Sequence, residues 1–227
     1  MMHHESTMKI GTDAVLLGAM VSVPSDGRLL DVGTGSGIIA LMLAQRSLNC
    51  LIDAIDIDLP SIEQAHYNFQ SSRWKLRLTA IHSSLQAYRP ELSSNQYNLI
   101  LSNPPFFSNS FKTIGERRNL ARHTDSLSHA ELVSNTVRLL HPKGIFAVII
   151  PAGNFTELDN FCKSGGLKLT KLVRIIPVEG REANRLIIEY QFETKEKPAE
   201  TDFVIRRSDS QFTPEYKLLL KDFYLGL

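Results

Sequence analysis

A chain of 227 residues with 22% charged side chains and a formal net charge of +1 lacks the overall basic bias of a general nucleic-acid binder, although a local patch is enough to touch a few phosphates. Hydrophobic residues make up 43% of it, enough for a sizeable core, and the longest apolar runs end at prolines well short of a membrane span. The two cysteines, Cys50 and Cys162, lack metal-ligand spacing and read as free thiols, and Met1-Met2-His3-His4-Glu5 is polar with no long apolar core behind it, so a cytoplasmic protein is expected.

Strand-like and helix-like patterns alternate along the chain, which predicts one α/β unit. Thr12 or Asp13 is placed to cap a short helix over 14–21, closed by Pro24. A strand over 29–32 runs into Gly33-Thr34-Gly35-Ser36-Gly37, and a helix over 38–45 follows. A second strand over 51–57 ends in acid before a helix over 61–69. Strands are expected over 76–81, followed by His82-Ser83-Ser84-Leu85, and over 97–102. The segment 107–126 is polar, charged and irregular, and loops of that length in compact domains are often functional. Ser128 and Glu131 have capping-box spacing for a helix over 128–140. The unbroken apolar run over 144–150 fits a strand covered on both faces. A helix over 155–163 stops at Gly165-Gly166, strands over 167–176 and 186–192 add one antiparallel edge, and a charged loop over 193–201 leads to a late hairpin strand around 203–205.

The glycine-rich turn narrows the chemistry. Its spacing is Gly-x-Gly-x-Gly rather than the dinucleotide Gly-x-Gly-x-x-Gly, and no Lys-Ser or Lys-Thr follows, so a phosphate-cradling P-loop is excluded. Asp31 precedes the turn, and a carboxylate there suits a ligand end carrying an ammonium better than a pyrophosphate. The next strand ends at Asp56, about 20 residues on, where nucleoside-binding α/β folds place a carboxylate on the ribose hydroxyls. Alternation puts Ile52, Ala54 and Asp56 on one face of that strand and Asp53, Ile55 and Ile57 on the other. Asp58 stands before Pro60, where it can open the next turn.

Asn103-Pro104-Pro105-Phe106 follows the strand over 97–102. Proline biases the residue before it towards an extended backbone, and neither proline has an amide hydrogen. The result is a stiff elbow carrying carbonyl acceptors, an Asn side chain and an aromatic ring. That set fits a flat group bearing an NH2, such as an adenine, a cytosine or a glutamine amide. Directly after it, Lys112, Arg117, Arg118, Arg122 and His123 form a cationic patch, with Arg118 and Arg122 on one face if the segment is helical. Arg73-Trp74-Lys75 and Arg206-Arg207 are weaker candidates, and Trp74 reads as a packing residue at a helix end.

Taken in order, Asp-x-Gly-x-Gly-x-Gly, the later acid and Asn-Pro-Pro-Phe resemble class I methyltransferases that use S-adenosylmethionine, within the branch that methylates planar nitrogen. Three further stretches are Met8-Lys9-Ile10-Gly11-Thr12-Asp13-Ala14-Val15-Leu16-Leu17-Gly18, Ala121-Arg122-His123-Thr124-Asp125-Ser126-Leu127-Ser128, and Glu215-Tyr216 with Lys221-Asp222-Phe223-Tyr224-Leu225. They make the chain similar, over nearly its whole length, to the tRNA adenine-N6 methyltransferase family that modifies position 37 of a valine tRNA.

The resemblance implies a single Rossmann-like class I methyltransferase domain over 1–227. Its sheet would be mostly parallel and seven-stranded, with an antiparallel edge strand and helices on both faces. Residues 1–23 would form an amino-terminal cofactor-side segment and 107–126 the substrate loop. The implied cofactor is S-adenosylmethionine. Lys9 and Thr12 would contact it from the amino-terminal segment, and Asp31 would reach its ammonium through water or neighbouring amides. Gly33, Gly35 and Gly37 would let the backbone approach its methionine part. Asp56, beside Ile57, would hold the ribose, and Ser84 with Leu85 would stand where relatives often carry an acid at the cofactor's adenine. Asn103, Pro104, Pro105 and Phe106 would be catalytic, and Phe107, Lys112, Arg118, Arg122 and His123 would meet a tRNA substrate. A monomer with no metal, no membrane association and no obligate protein partner is expected.

Two enzymes share this elbow. A protein glutamine methyltransferase typically carries an additional helical amino-terminal domain, and a DNA adenine methyltransferase a target-recognition domain; neither has room in 227 residues. A non-catalytic RNA-binding shell is the third alternative, against which the intact acids, glycines and elbow argue.

Overall fold

The computed structural model describes residues 11–90, 97–104 and 127–224, and it carries the alternation read in the sequence into one sheet with helices on both faces. Its strands are β1 Arg28–Val32, β2 Leu51–Asp56, β3 Leu78–His82, β4 Tyr97–Ser102, β5 Leu140–Pro151, β6 Lys168–Val178, β7 Arg185–Gln191 and β8 Ala199–Arg206. They are ordered β3-β2-β1-β4-β5-β7-β6-β8. β7 pairs antiparallel with β5 and β6, and the other pairings are parallel.

Two cores follow from the two faces. Leu29, Ile52, Ala54, Leu99 and Leu101 pack with α1 Thr12–Met20, α2 Ile38–Arg46, α3 Leu59–Gln70 and α6 Pro214–Leu220. Leu30, Val32, Ile55, Ile100 and Phe146 pack on the other side with α4 His129–Leu139 and α5 Phe155–Ser164. Tyr97 joins the second core although Leu99 and Leu101 belong to the first, because the pairing of β4 with both neighbours slips between Tyr97 and Leu99.

The structure differs from expectation at several points. Among the described residues the sheet has eight strands rather than seven, because 199–206 forms a full strand; it is not the hairpin strand expected, since it crosses over to lie parallel to β6 and extends the edge. The antiparallel member, β7, therefore has β6 and β8 outside it. Neither Thr12 nor Asp13 caps α1: Gly11 holds the N-cap position without a side-chain bond, and Asp13 pairs with Arg185 instead. The helix Pro214–Leu220 was not expected, although Thr213 caps it by accepting the Tyr216 amide and Pro214 opens it. The Ser128–Glu131 capping box is formed in both directions.

Two polar clusters fix the frame. At the amino end of the sheet, Asp53 Oδ2 accepts from Tyr97 Oη and Arg28 Nη2, each at 2.5 Å, and Tyr88 Oη lies 2.7 Å from Tyr97 Oη. Burial first, then the hydrogen bond to Asp53, hold the Tyr97 phenol well above its ordinary pKa, so it remains a donor. On β7, Glu189 is 3% exposed. Its Oε1 accepts from the Ser22 amide at 2.9 Å and from Lys171 Nζ at 3.0 Å. Lys171 also donates to the Met20 carbonyl, while Arg46 donates to those of Gly18 and Val21. Two cations thus sit on the carbonyl end of α1, where the helix dipole favours them.

Glu189→Ala removes the acceptor of both a cation and a buried amide, and is expected to cost about 3 kcal/mol of stability. Glu189→Gln, which can still accept from Ser22, should lose clearly less. Urea unfolding of the two variants checks this, and equal losses would contradict it.

Candidate active site

The carboxyl ends of β1, β2, β3 and β4 lie side by side, through the pairs Val32–Ile55, Val32–Ser102 and Asp56–His82. Asp31, the glycine turn, Asp56, Ile57, Ser84, Leu85, Asn103 and Pro104 emerge along this edge, which is where open α/β sheets bind ligands, whereas Arg73, Trp74 and Lys75 precede β3 at its amino end and Trp74 packs on the first core.

After β1 the chain turns through Gly33, Gly35 and Gly37, with φ of 72°, 55° and 82°, left-handed values that favour glycine. The glycines divide the work. Among the described residues, a Cβ on Gly33 or Gly35 would meet nothing within 4 Å, which leaves room for a ligand against the backbone there. A Cβ on Gly37 would come within 2.5 Å of the Phe69 ring, so that glycine allows α2 to begin against α3. The turn is held from three sides. The Gly33 and Thr34 amides donate to the Ile55 carbonyl, Gly35 N donates to Asp56 Oδ2 at 2.8 Å, and Asn68 Nδ2 donates to the Ser36 carbonyl at 2.9 Å.

Asp31 is fully buried. Thr34 Oγ1 donates to its Oδ2 at 2.6 Å, and its Oδ1 makes no hydrogen bond among the described residues. Burial raises its pKa to about 7, against the opposing pull of the Thr34 hydroxyl and of the Ala40 amide in the first turn of α2, with the nearby Asp56 charge adding to the rise. An unpaired, buried carboxylate oxygen behind a glycine turn fits a ligand that brings its own cationic donor. Asp56 occupies the end of β2, as read from the sequence, with its Oδ1 accepting the Asp58 amide at 3.0 Å. Asp58 opens α3 by accepting the Ser61 amide.

Ile57 follows at 50% exposure, presenting an apolar surface beside Asp56, and its carbonyl accepts from His82 Nε2 at 2.9 Å. After β3, the Ser83 amide donates to the Asp56 carbonyl, tying the two strand ends together. Ser84 Oγ accepts the Ala87 amide at 3.1 Å, so its hydroxyl already supports a turn. Leu85 buries its side chain in the core under α4 and α5, leaving only its backbone for a ligand.

The elbow begins where expected. Ser102 Oγ donates to the Val32 carbonyl at 2.9 Å and locks the end of β4 to the end of β1. Asn103 Oδ1 is shielded from solvent and makes no hydrogen bond among the described residues. Pro104 is buried. Lys9, Pro105, Phe106, Phe107, Lys112, Arg118, Arg122 and His123 lie outside the described residues. Thr12 is exposed at the first position of α1. Sequence reading missed Thr34 and Asn68, which hold Asp31 and the glycine turn. Gln64 and Asn68, both buried and four residues apart on α3, were a visible polar stripe on an inward face.

Residues 4–153 match the model of the methyltransferase small domain family. A tRNA1(Val) (adenine(37)-N6)-methyltransferase of Phocaeicola vulgatus is 40% identical over 225 residues, covering 99% of this chain and 94% of its own. The protein of the same name from Trichodesmium erythraeum is 42% identical, covering 96% of this chain and 91% of its own. Among solved structures, a predicted O-methyltransferase from Agrobacterium tumefaciens superposes with a TM-score of 0.72 at 16% identity, covering 92% of this chain and 96% of that one. The ribosomal protein L11 methylase of Lactobacillus delbrueckii superposes with a TM-score of 0.55 at 16% identity, covering 80% and 77%. At such identities these two structures speak for the fold alone. By its family match and its near full-length relatives, the chain belongs to the methyltransferase small domain family and, within it, to the tRNA1(Val) (adenine(37)-N6)-methyltransferases.

Proposed function

We propose that this protein transfers the methyl group of S-adenosylmethionine to the exocyclic N6 amine of an adenine in tRNA, the adenine at position 37 of tRNA1(Val) for which its relatives are named. The observation that carries the active-site reading is Asn103 Oδ1, a shielded acceptor without a hydrogen bond among the described residues, in the segment that leaves β4 where the Ser102–Val32 bond ties it to the end of β1.

S-adenosylmethionine supplies an electrophilic methyl when bound. Asp31 would act on its ammonium through water or neighbouring amides, Gly33 and Gly35 would leave room for its methionine part, and Asp56 would hold its ribose. Ile57 and the Leu85 backbone border the space for its adenine. The target amine is a poor nucleophile because its lone pair is delocalised into the ring. Asn103 Oδ1 and the Pro104 carbonyl accept its two N–H bonds, which favours a pyramidal nitrogen and leaves the lone pair free for the methyl. After transfer the cationic product nitrogen is acidic, and the same acceptors hold its proton until water removes it. No strong base is required, so the protein's contribution is positioning and stabilisation of positive charge.

A base in a loop unstacks at a cost of a few kcal/mol. Stacking on Phe106 would return roughly 1–3 kcal/mol. Phe107, Lys112, Arg118, Arg122 and His123 would meet the RNA around it. A local patch on a near-neutral chain implies binding that weakens steeply with salt.

Asn103→Ala should bind S-adenosylhomocysteine as the unaltered protein does, while methyl transfer to unmodified tRNA falls by about 10²-fold or more. Calorimetry and a labelled-methyl assay check the two halves, and intact turnover would sink the mechanism.

The pH dependence follows from Asp31. Its pKa in the folded chain, about 7, lies above the ordinary value of 3.8. Its contribution to stability is therefore intact below 3.8 and is lost as pH rises through about 7. Binding a cation needs the charged carboxylate, so affinity for S-adenosylhomocysteine should rise with pH up to neutrality, by at most about tenfold per unit, and then flatten. Asp31→Asn should bind weakly and show no such slope; a slope that persists in it would assign the titration to another group.

A further inference from the structure

The carboxyl edge of the sheet is not level. One row of partners crosses it: Ser102 faces Val148, Val148 faces Ile188, Ile188 faces Leu172, and Leu172 faces Glu200. β4 ends in this row, whereas β5 runs on to Pro151 and β8 to Arg206, beside Val178 of β6. β8 runs in the same direction as β4, since the two antiparallel pairings of β7 restore it. From Glu200 to Arg206 the further rise is about 20 Å, and the strand spacings from β4 to β8 add about 19 Å sideways. The end of β8 is therefore a wall that stands beside the elbow and rises past it.

The top of that wall carries a stack. The Arg206 guanidinium carbon lies 4.0 Å from the centroid of the Phe212 ring, and Phe212 stacks on Tyr216 with centroids 4.6 Å apart and planes 13° from parallel. Tyr216 is buried in the first core and anchors the stack there. Arg206 Nη1 also donates to the Ser210 carbonyl at 2.7 Å. Ser210, with φ of 67°, is the one non-glycine residue with a left-handed backbone among the described residues. The turn around it is closed by the Arg207 amide on the Gln211 carbonyl and the Ser210 amide on the Arg207 carbonyl. Two neighbouring charges are engaged: Arg207 pairs with Asp209, and Glu179 accepts the Ser208 amide. Arg206 is half-buried and pairs with no carboxylate among the described residues.

A guanidinium held with one face on a ring and one nitrogen on a carbonyl has little freedom left to lose, and its second face is a flat cationic surface. Unpaired RNA bases stack on such planes. A Lys ammonium in the same place would carry the charge without the plane. Arg206 is too far along the sheet to meet the adenine held at Asn103, so its partner is another nucleotide of the same molecule.

We propose that Arg206, held flat by Phe212 and Ser210, is a stacking platform for an unpaired tRNA base some nucleotides away from the target adenine. The inference rests on the reading of the elbow as the site of tRNA methylation, and it gives that site a second point of contact at the far end of the sheet. Arg206 takes no part in methyl transfer itself.

The test uses the full chain and unmodified tRNA1(Val), with steady-state kinetics, tRNA binding across a range of salt, calorimetry against S-adenosylhomocysteine and thermal melts. Arg206→Ala should raise KM for tRNA by about tenfold, the scale of one lost base stack. It should leave kcat at saturating tRNA and the affinity for S-adenosylhomocysteine little changed. The salt dependence of tRNA binding should keep its slope, because a stacked base releases no phosphate counterion. Arg206→Lys should stay close to Arg206→Ala. If Arg206→Ala does not fold, Arg206→Met, which keeps an apolar stem over Phe212, replaces it with the same expectations. An unchanged KM for tRNA in a folded variant, with or without a lower melting temperature, would make the stack a brace of the turn and overturn the inference. Full recovery in Arg206→Lys, or a slope reduced by about one, would make the contact a point charge on a phosphate and overturn it as well. Failure of the unaltered chain to methylate tRNA would overturn the functional reading and this inference with it, whereas an active unaltered chain with unaffected variants would overturn only this inference.

Discussion

The parallel pairing of β1 with β4 is the constraint on which the site depends. These strands are separated by 64 residues of sequence between Val32 and Tyr97, yet Val32 and Ser102 face each other and the Ser102 hydroxyl closes on the Val32 carbonyl. The chain leaves β1 into a turn that a ligand's backbone-hugging end can enter, and leaves β4 into an acceptor-rich elbow. Neither feature is a methyl-transfer site alone. In the proposed reading, side by side, one would hold the methyl donor and the other the planar amine. The two cores on opposite faces of the sheet keep this junction rigid, since Leu99 and Leu101 are buried towards one layer of helices and Ile100 towards the other.

Three aspartates of β1 and β2 show how position decides chemistry. Asp53 lies at the amino end of the sheet with Arg28 and Tyr97 as partners and serves as a tie between β1, β2 and β4. Asp56, three residues on, has backbone amides as its hydrogen-bond partners among the described residues and stands at the carboxyl edge of the sheet. Asp31 is enclosed: Thr34 donates to one oxygen, the other makes no hydrogen bond among the described residues, and burial raises its pKa to about 7. A buried carboxylate perturbed in this way is a candidate binding group.

Much of this was legible in the sequence, and the parts that were not have a common cause. The strand 97–102 was read to the residue because the proline elbow ends it sharply. The glycine turn was legible because only a ligand or a close helix contact needs three glycines in five residues. The structure places Gly37 against Phe69, the second need, and leaves space beside Gly33 and Gly35 among the described residues. The role of Asp53, the burial of Glu189 and the partner of Asp13 were not legible. Each depends on a residue brought near by topology, across separations of 44, 167 and 172 residues, and no local spacing encodes that. The final helix was a different failure. Its signals, Thr213 followed by Pro214, are local and were present. The eighth strand was underread because its first half, Ala199 to Asp202, is polar and exposed at a sheet edge, and so lacks the apolar pattern that marks inner strands.

The most direct test of the central claim is to incubate unmodified tRNA1(Val) with the protein and S-adenosylmethionine, digest it, and map the product by mass spectrometry. N6-methyladenosine at position 37, and at no other adenine, is the result this account predicts. N6-methyladenosine elsewhere would keep the elbow chemistry and contradict the substrate, and methylglutamine in a parallel protein pool with unmodified tRNA would contradict the function.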